Sequence, residues 1–275
     1  VDVENVLFLG DSHGNTGFVG EAIGASIGLE CKVILQLGDF GIWDHKIDGI
    51  KFLETVNQGL EEHDIILIFC DGNHENFDSL YALPVDDDGF RRVRKNIWHA
   101  PRGHIWEMGG VTFMAMGGAH SIDGPGGIWQ QGRGPLPARS VMDDPMDLGG
   151  WWPQETITPV EAQEAMEKAL DWQRDNGPID VLIAHDCPAG VPIPGIHGYP
   201  AGDKNRHLLA QVCDAADPSY IFCGHYHLRH RGVYNNARVE ILAADVNGRD
   251  QALAVSLNQL KKAPPEIDER QDVGR

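Results

Sequence analysis

Short apolar runs alternate with amphipathic stretches of helical length through the first third of the chain. Residues 3–9 (VENVLFL), 31–37 (CKVILQL) and 64–70 (DIILIFC) are rich in Val, Ile and Leu, and residues 16–29 and 46–62 separate them. Strand–helix–strand units of about 30 residues with nearly continuous apolar strands predict a sheet buried on both faces and parallel at this end. Residues 104–107 and 111–116 flank Gly109-Gly110 and predict a hairpin.

From residue 117 to 153 the chain becomes rich in Gly and Pro, carries Trp129, Trp151 and Trp152, and loses periodicity. A loop this long inside a domain is functional or disordered, and its aromatics argue for docking. Thr158-Pro159-Val160-Glu161 then predicts a helix start, with Thr at the cap, Pro at the first position and Glu three residues on. Ala162, Ala165, Met166, Ala169 and Leu170 continue one face of it. Strands follow at 179–184 and 220–223, with a helix near 205–216 between them and a final hairpin over 238–257. The organisation is one domain over 1–260, interrupted by a loop insertion at 117–157 and ending in a solvated tail over 261–275. No internal repeat is present.

Composition narrows the class. With 41 acidic and 22 basic side chains the net charge is −19, which opposes duplex nucleic acid as a partner. Hydrophobic and charged contents of 42% and 23% are those of a folded globular chain. No run approaches the roughly 18 apolar residues of a membrane span. Five cysteines without a CxxC pair predict a reducing compartment, hence the cytoplasm (the host's, if the chain is phage-encoded).

The chemistry stands at the ends of the apolar runs. Residues 3–9 lead into Gly10-Asp11-Ser12-His13, residues 31–37 into Gly38-Asp39, and residues 64–70 into Asp71-Gly72-Asn73-His74-Glu75. Residues 179–184 lead into His185-Asp186, and 220–223 into Gly224-His225-Tyr226-His227. Five strands thus deliver Asp, Asn and His to their carboxyl ends, where open α/β sheets build their sites. Each alone is more often a cap, a turn or a core histidine, but turns have no use for imidazole. Residues two apart in extended chain point the same way, so Asp11 with His13, and His225 with His227, can reach one ion. Imidazole, carboxylate and amide donors without Cys suit Mn, Fe, Zn or Ni and argue against a structural zinc. They are too many for one ion, whereas two ions sharing a carboxylate use them all, an arrangement suited to phosphoryl transfer.

The ordered set Asp11-x-His13, Gly38-Asp39, Gly72-Asn73-His74-Glu75, His185 and Gly224-His225-x-His227 resembles the calcineurin-like metallophosphoesterases. The stretches at 117–123 and 151–155 look like a subgroup from bacteria and their phages. The resemblance implies a four-layer αββα sandwich with two central mixed β-sheets. It implies one ion on Asp11, His13 and His227, a second on Asn73, His185 and His225, and Asp39 bridging both. His74 matches the residue that touches phosphate oxygens or protonates the leaving group. Relatives carry Asp or Asn three residues after the bridging Asp to orient that histidine; Ile42 stands here, leaving Asp44 or Asp71 as substitutes or else a less constrained His74. The expected cofactors are two divalent ions, Mn2+ first and Fe, Zn, Ni or Mg as alternatives.

The resulting expectation is hydrolysis of small phosphodiesters, such as a cyclic nucleotide, by in-line attack of a water activated between the ions. The Asp-Arg-Gly of protein phosphatases is absent, Asp39 being followed by Phe40, and with it a phosphate clamp suited to monoesters. A phosphomonoesterase or protein phosphatase is the alternative, followed by a nuclease and by an inactive metal-binding scaffold. The oligomeric state is open. Gly24-Ala25-Ser26-Ile27-Gly28 matches a hydrolase elbow but lies in a helical stretch, where packing of small residues against the sheet explains it better. Arg133 and Arg139 carry no assignment. His104 and His99 are read as surface or satisfied core histidines.

Overall fold

The computed structural model describes residues 3–121, 152–195, 200–246 and 250–261, with side chains in the 200–246 segment from 204 onward. The interior of the 117–157 insertion, with Trp129, Trp151, Arg133 and Arg139, and the tail beyond 261 lie outside these residues.

The first half alternates β1 (Asn5–Leu9), α1 (Thr16–Gly28), β2 (Cys31–Gln36), α2 (Ile47–Glu62) and β3 (Ile66–Phe69), followed by α3 (Phe77–Ala82), β4 (Arg91–Arg94) and β5 (Ile97–His99). The hairpin of β6 (Ile105–Met108) and β7 (Val111–Met116) comes next. The second half runs α4 (Pro159–Asn176), β8 (Val181–Ala184), α5 (Pro200–Ala216), β9 (Tyr220–Cys223), β10 (His230–Tyr234), β11 (Ala237–Ile241), β12 (Ala252–Ser256) and α6 (Leu257–Leu260). Two six-stranded sheets result, ordered β12-β1-β2-β3-β5-β4 and β10-β11-β9-β8-β7-β6. Strands β1, β2, β3 and β5 are mutually parallel, as are β7, β8, β9 and β11, while the outer strands are antiparallel.

Alternation along the strands makes the layers. Val6 and Phe8 face Phe113, Ile183 and Phe222 of the second sheet, and Phe8 stacks on Phe222 with centroids 3.6 Å apart. Leu7, Leu9 and Ile34 face the other way, onto Phe18, Val19, Phe52 and Leu53 of α1 and α2. On the far side Leu182, Ile221 and Val239 pack against Ala162, Ala165 and Ala169 of α4 and Leu209 and Val212 of α5. The fold is therefore the expected α/β sandwich of two mixed sheets between helical layers.

Local signals place the helices. Asn15 caps α1 by accepting from the Phe18 amide, and Thr158 and Glu161 form the capping box of α4. The Gly24–Gly28 stretch is helical, which excludes the elbow, but only part of its packing reading stands. Ser26 is buried, whereas a Cβ on Gly24 or Gly28 would meet nothing within 4 Å, so those glycines do not mediate packing.

One expectation is overturned. The residues 238–257 do not form a hairpin: β11 pairs with β10 and β9, while β12 crosses to the other sheet and pairs with β1. After β11, residues 242–246 pass from the second sheet to the end of β1, and this bears on the site.

Candidate metal centre

Every parallel strand of the central region points its carboxyl end at one edge of the sandwich. There β1 releases Asp11 and His13, β2 Asp39, β3 Asn73 and His74, β8 His185, and β9 His225 and His227. Asp11, Asp39, Asn73 and His185 are all buried.

Close approach of main chain to these side chains explains two of the preceding glycines. A Cβ at Gly72 would lie 2.0 Å from Asp39 Oδ1, and one at Gly224 would lie 2.1 Å from Asp11 Oδ1. His13, Asp39, His225 and His227 themselves have φ of 45°, 51°, 69° and 52°, a left-handed conformation that side chains with a Cβ disfavour. Backbone strain of this kind concentrates at functional sites.

Asp39 divides its carboxylate between two tasks. Its Oδ1 accepts from the amides of Asn73 and His74, both at 2.8 Å. Its Oδ2 stands 3.3 Å from His185 Nε2 and 3.6 Å from His13 Nε2. His185 Nδ1 donates to the Leu37 carbonyl at 2.7 Å, and its Nε2 also lies 3.1 Å from Asn73 Oδ1. Asp11 accepts from the His225 amide on both oxygens at 3.0 Å and places Oδ2 3.3 Å from His227 Nε2. The His225 ring stands edge-on to His185, centroids 5.0 Å apart, and the His74 ring lies 6.2 Å from that of His13.

Five of these donors fall into two groups that share Asp11 and whose ligating atoms lie within 4.8 Å of one another, Asp11–His13–His227 and Asp11–Asp39–His185, while His225 and Asn73 stand outside both. Burial alone would raise the carboxyls of Asp11 and Asp39, yet the surrounding histidines, His185 foremost, hold both below the usual range. Burial likewise opposes charge on the imidazoles, but Asp39 and Asp11 push His185 up to about 10 and His13 up to about 9. His225 goes the other way, to about 4, through burial and the neighbouring His185. Two buried carboxylates facing imidazole nitrogens thus require positive charge between them, which protons or divalent cations can provide. The oxygen and nitrogen donor set fits hard to borderline divalent ions.

The sequence profile of the calcineurin-like phosphoesterases matches residues 4–229. The chain belongs to the calcineurin-like phosphoesterases. Members of this family are dinuclear metal enzymes that hydrolyse phosphoric esters, and the Asp/His groups above are where this calcineurin-like phosphoesterase can hold metal. A solved structure with 11% identity superposes with a TM-score of 0.57 over 94% of this chain and 96% of its own. A dimetal phosphatase from Danio rerio superposes at 0.50, with 12% identity over 89% of this chain and 88% of its own. The phosphopantetheinyl hydrolase of Mycobacterium tuberculosis gives 0.47, with 14% identity over 96% of this chain and all of its own (100%). At their identities the first two show a likeness of fold alone. No curated protein matches the chain. No helix among the described residues is long and apolar enough to cross a membrane.

Several residues given no role by the sequence reading support this calcineurin-like centre. Gln36, fully buried at the end of β2, donates to the Gly10 carbonyl and accepts from the Gly38 amide, tying two ligand loops together. Glu75 accepts from the amides of Phe40, Gly41 and Ile42 at 2.7, 3.2 and 2.7 Å, and so fixes the chain leaving Asp39. Burial and nearby Asp39 push its carboxyl up to about 8 despite those bonds. Asp71 is taken up by buried Arg102, through Nε at 2.9 Å and Nη2 at 2.7 Å, and by His99 Nε2 at 3.1 Å. Arg102 also reaches the carbonyls of Gln154 and Thr156, where the chain returns from the insertion. Asp186 accepts from Asn205 Nδ2 at 2.8 Å and from the Tyr226 hydroxyl, and Asn205 in turn reaches Gly118 O and Ile157 N. Both ends of the insertion are thereby bonded to residues beside candidate ligands.

Proposed function

We propose that the chain is a dinuclear metal-dependent phosphodiesterase acting on small phosphodiesters, a cyclic nucleotide being the type of substrate expected. The observation that carries the reading is Asp39, whose one oxygen is locked by two amides while the other faces His13 and His185. Asp11, His13 and His227 would hold one ion and Asn73, His185 and His225 the other, with Asp39 shared. Bound divalent ions supply Lewis-acid activation of water and neutralise charge on the phosphoryl oxygens.

The protein's own groups do the rest. The Leu37 carbonyl fixes the His185 ring so that Nε2 faces Asp39 and Asn73. His74 is the candidate for contact with a phosphate oxygen or for proton donation to the leaving oxygen. With Ile42 buried in the hydrophobic layer beneath, the main chain holds His74: its amide donates to Asp39, and its carbonyl accepts from Trp43 Nε1 at 2.8 Å. The substitutes considered for Ile42 have other bonds, Asp71 to Arg102 and His99, and Asp44 to Asn76.

Preference for a diester rests on the residue after Asp39. Phe40 is fully buried against Phe52 and Phe69, so no guanidinium arises there to clamp a monoester dianion. The five buried, unpaired cysteines support a cytoplasmic setting. Manganese is the proposed metal. Rates on a cyclic nucleotide, an aryl diester, an aryl monoester, a phosphopeptide and single-stranded DNA, each with and without Mn2+, test the reading. Metal-dependent turnover highest on the small diesters supports it. A monoester, phosphopeptide or DNA optimum would replace the substrate class, and no turnover on any would favour the scaffold.

A further inference from the structure

The segment that crosses from β11 to β12 brings one more carboxylate to the same edge. After Ile241 the chain follows the second sheet, with the Leu242 amide bonded to the Cys223 carbonyl. It then reaches the first sheet, where the Asp245 amide donates to the carbonyl of Asp11 at 3.0 Å. Asp245 is thus anchored by main chain to a candidate ligand. Its side chain faces a second one: Oδ1 lies 3.0 Å from His13 Nδ1. Its other oxygen accepts from Asn15 Nδ2 at 2.9 Å, and Asn15 uses its own Oδ1 to cap α1. Both carboxylate oxygens are committed, so the direction of the Asp245 side chain is fixed from two sides.

We propose that Asp245 is a positioning residue for the ion held by Asp11, His13 and His227, acting through the His13 ring. The inference rests on the two-ion reading above. An imidazole that donates from Nδ1 presents a bare Nε2, and His13 directs Nε2 toward Asp39 Oδ2 at 3.6 Å. Asp245 therefore selects the tautomer a ligand needs and holds the ring in a residue whose φ is 45°, where local backbone preference gives little support. A carboxylate behind the ring also makes the nitrogen in front a better donor. At His185 the hydrogen-bond partner of Nδ1 is instead the neutral Leu37 carbonyl at 2.7 Å, with the nearest carboxylate oxygen, Asp11 Oδ1, farther off at 3.9 Å. The two ion sites are consequently unequal: the His13 side depends on an outer carboxylate contributed from more than 200 residues away in sequence (|i−j| = 232).

The test is a Mn2+ titration of the metal-stripped full-length protein, by calorimetry and by electron paramagnetic resonance, for the parent, Asp245→Asn and Asp245→Ala. In the parent, two ions bind and give the signal of a spin-coupled pair. In Asp245→Ala, affinity at one site falls by about 10- to 100-fold while the other is unchanged, and isolated Mn2+ appears at intermediate loading. Asp245→Asn retains an oxygen able to accept from His13 and loses less. Melting of the stripped variants shows whether each is folded; if Asp245→Ala is not, Asp245→Asn carries the comparison with a smaller one-site loss. Affinities unchanged from the parent at both sites in the folded variants, or equal losses at both, overturn the inference. A parent that binds fewer than two ions overturns the two-ion reading itself.

Discussion

Asp39 Oδ2 stands 3.3 Å from His185 Nε2 in the buried mouth between the two sheets, although the residues come from different sheets and are 146 positions apart. The contact exists because β2 and β8 end at the same edge and because the other Asp39 oxygen is tied down by the amides of Asn73 and His74. That division of labour makes a sharp substitution available.

Asp39→Asn keeps an oxygen that can accept from the two amides and loses the charge that the two proposed ion sites would share. The fold is expected to survive, with metal content falling below two ions and turnover dropping by at least about 100-fold, the upper end for losing even an outer-sphere metal partner. Elemental analysis and steady-state rates on the same preparation check it. Full turnover with normal metal content would contradict the assignment.

His74→Ala separates metal binding from proton transfer. Its bonds to Asp39 and from Trp43 are made by the main chain and survive truncation. Metal content should be unchanged while kcat falls by about 10²- to 10⁴-fold, the range for loss of a general acid. A substrate with a good leaving group should suffer less, and comparison of aryl esters with an alkyl ester measures this.

Arg102 is the structural counterpart of these changes. It is buried against Asp71, which lies two residues before Asn73, and its bonds to Gln154 and Thr156 gather the returning chain. Its charge, with His99, holds the buried Asp71 carboxyl well below its ordinary range against the opposing effect of burial. Arg102→Met leaves that carboxylate uncompensated and should cost about 3–5 kcal/mol. Denaturant unfolding of the two proteins gives the difference.

His104 gives a pH dependence that does not involve the metal centre. Its ring packs edge-on against Phe90 and stacks on Trp106, with Nε2 buried and unpartnered. Burial, opposed by Asp88 and aided by Lys168 and His99, lowers it to about 4. As pH falls below the ordinary histidine value of about 6.5, the unfolded chain takes up a proton that the folded chain refuses. Its stabilising contribution is thus complete above that value and is lost progressively down to about pH 4, where the folded ring also protonates. The ceiling is about 1.4 kcal/mol per pH unit for one proton, and partial exposure of the ring reduces it. His104→Phe should flatten the stability profile over that window; an unchanged slope would show that other groups set it.

What the sequence reveals and what it hides follow from one distinction. Each ligand block closes an apolar run long enough to read as a strand, so Asp11, Asp39, Asn73, His185 and His225 are visible as strand ends. Asp245 closes such a run too, behind Ile241-Leu242-Ala243-Ala244, but a presumed hairpin turns it into a loop residue. Pairing of β12 with β1, at the opposite end of the chain, is a non-local choice that no local pattern encodes. Strands β4, β5 and β10 are hidden for a different reason. Arg91–Arg94 and His230–Tyr234 are short, polar sheet edges, and Ile97–His99 is only three residues long. Gln36 is legible only as a polar residue in buried surroundings, and Glu75, though it closes the Gly72-Asn73-His74-Glu75 block, has a role that appears only once it is buried against the amides after Asp39; burial is a property of the folded chain.

The proposed convergence of seven side chains on a pair of ions is tested most directly by crystals soaked in Mn2+ and an anomalous difference map at the manganese edge. Two peaks about 3.5–4 Å apart are predicted, flanking Asp39 Oδ2, one bounded by Asp11, His13 and His227 and the other by Asn73, His185 and His225. A map without a peak between Asp39, His13 and His185 would contradict it.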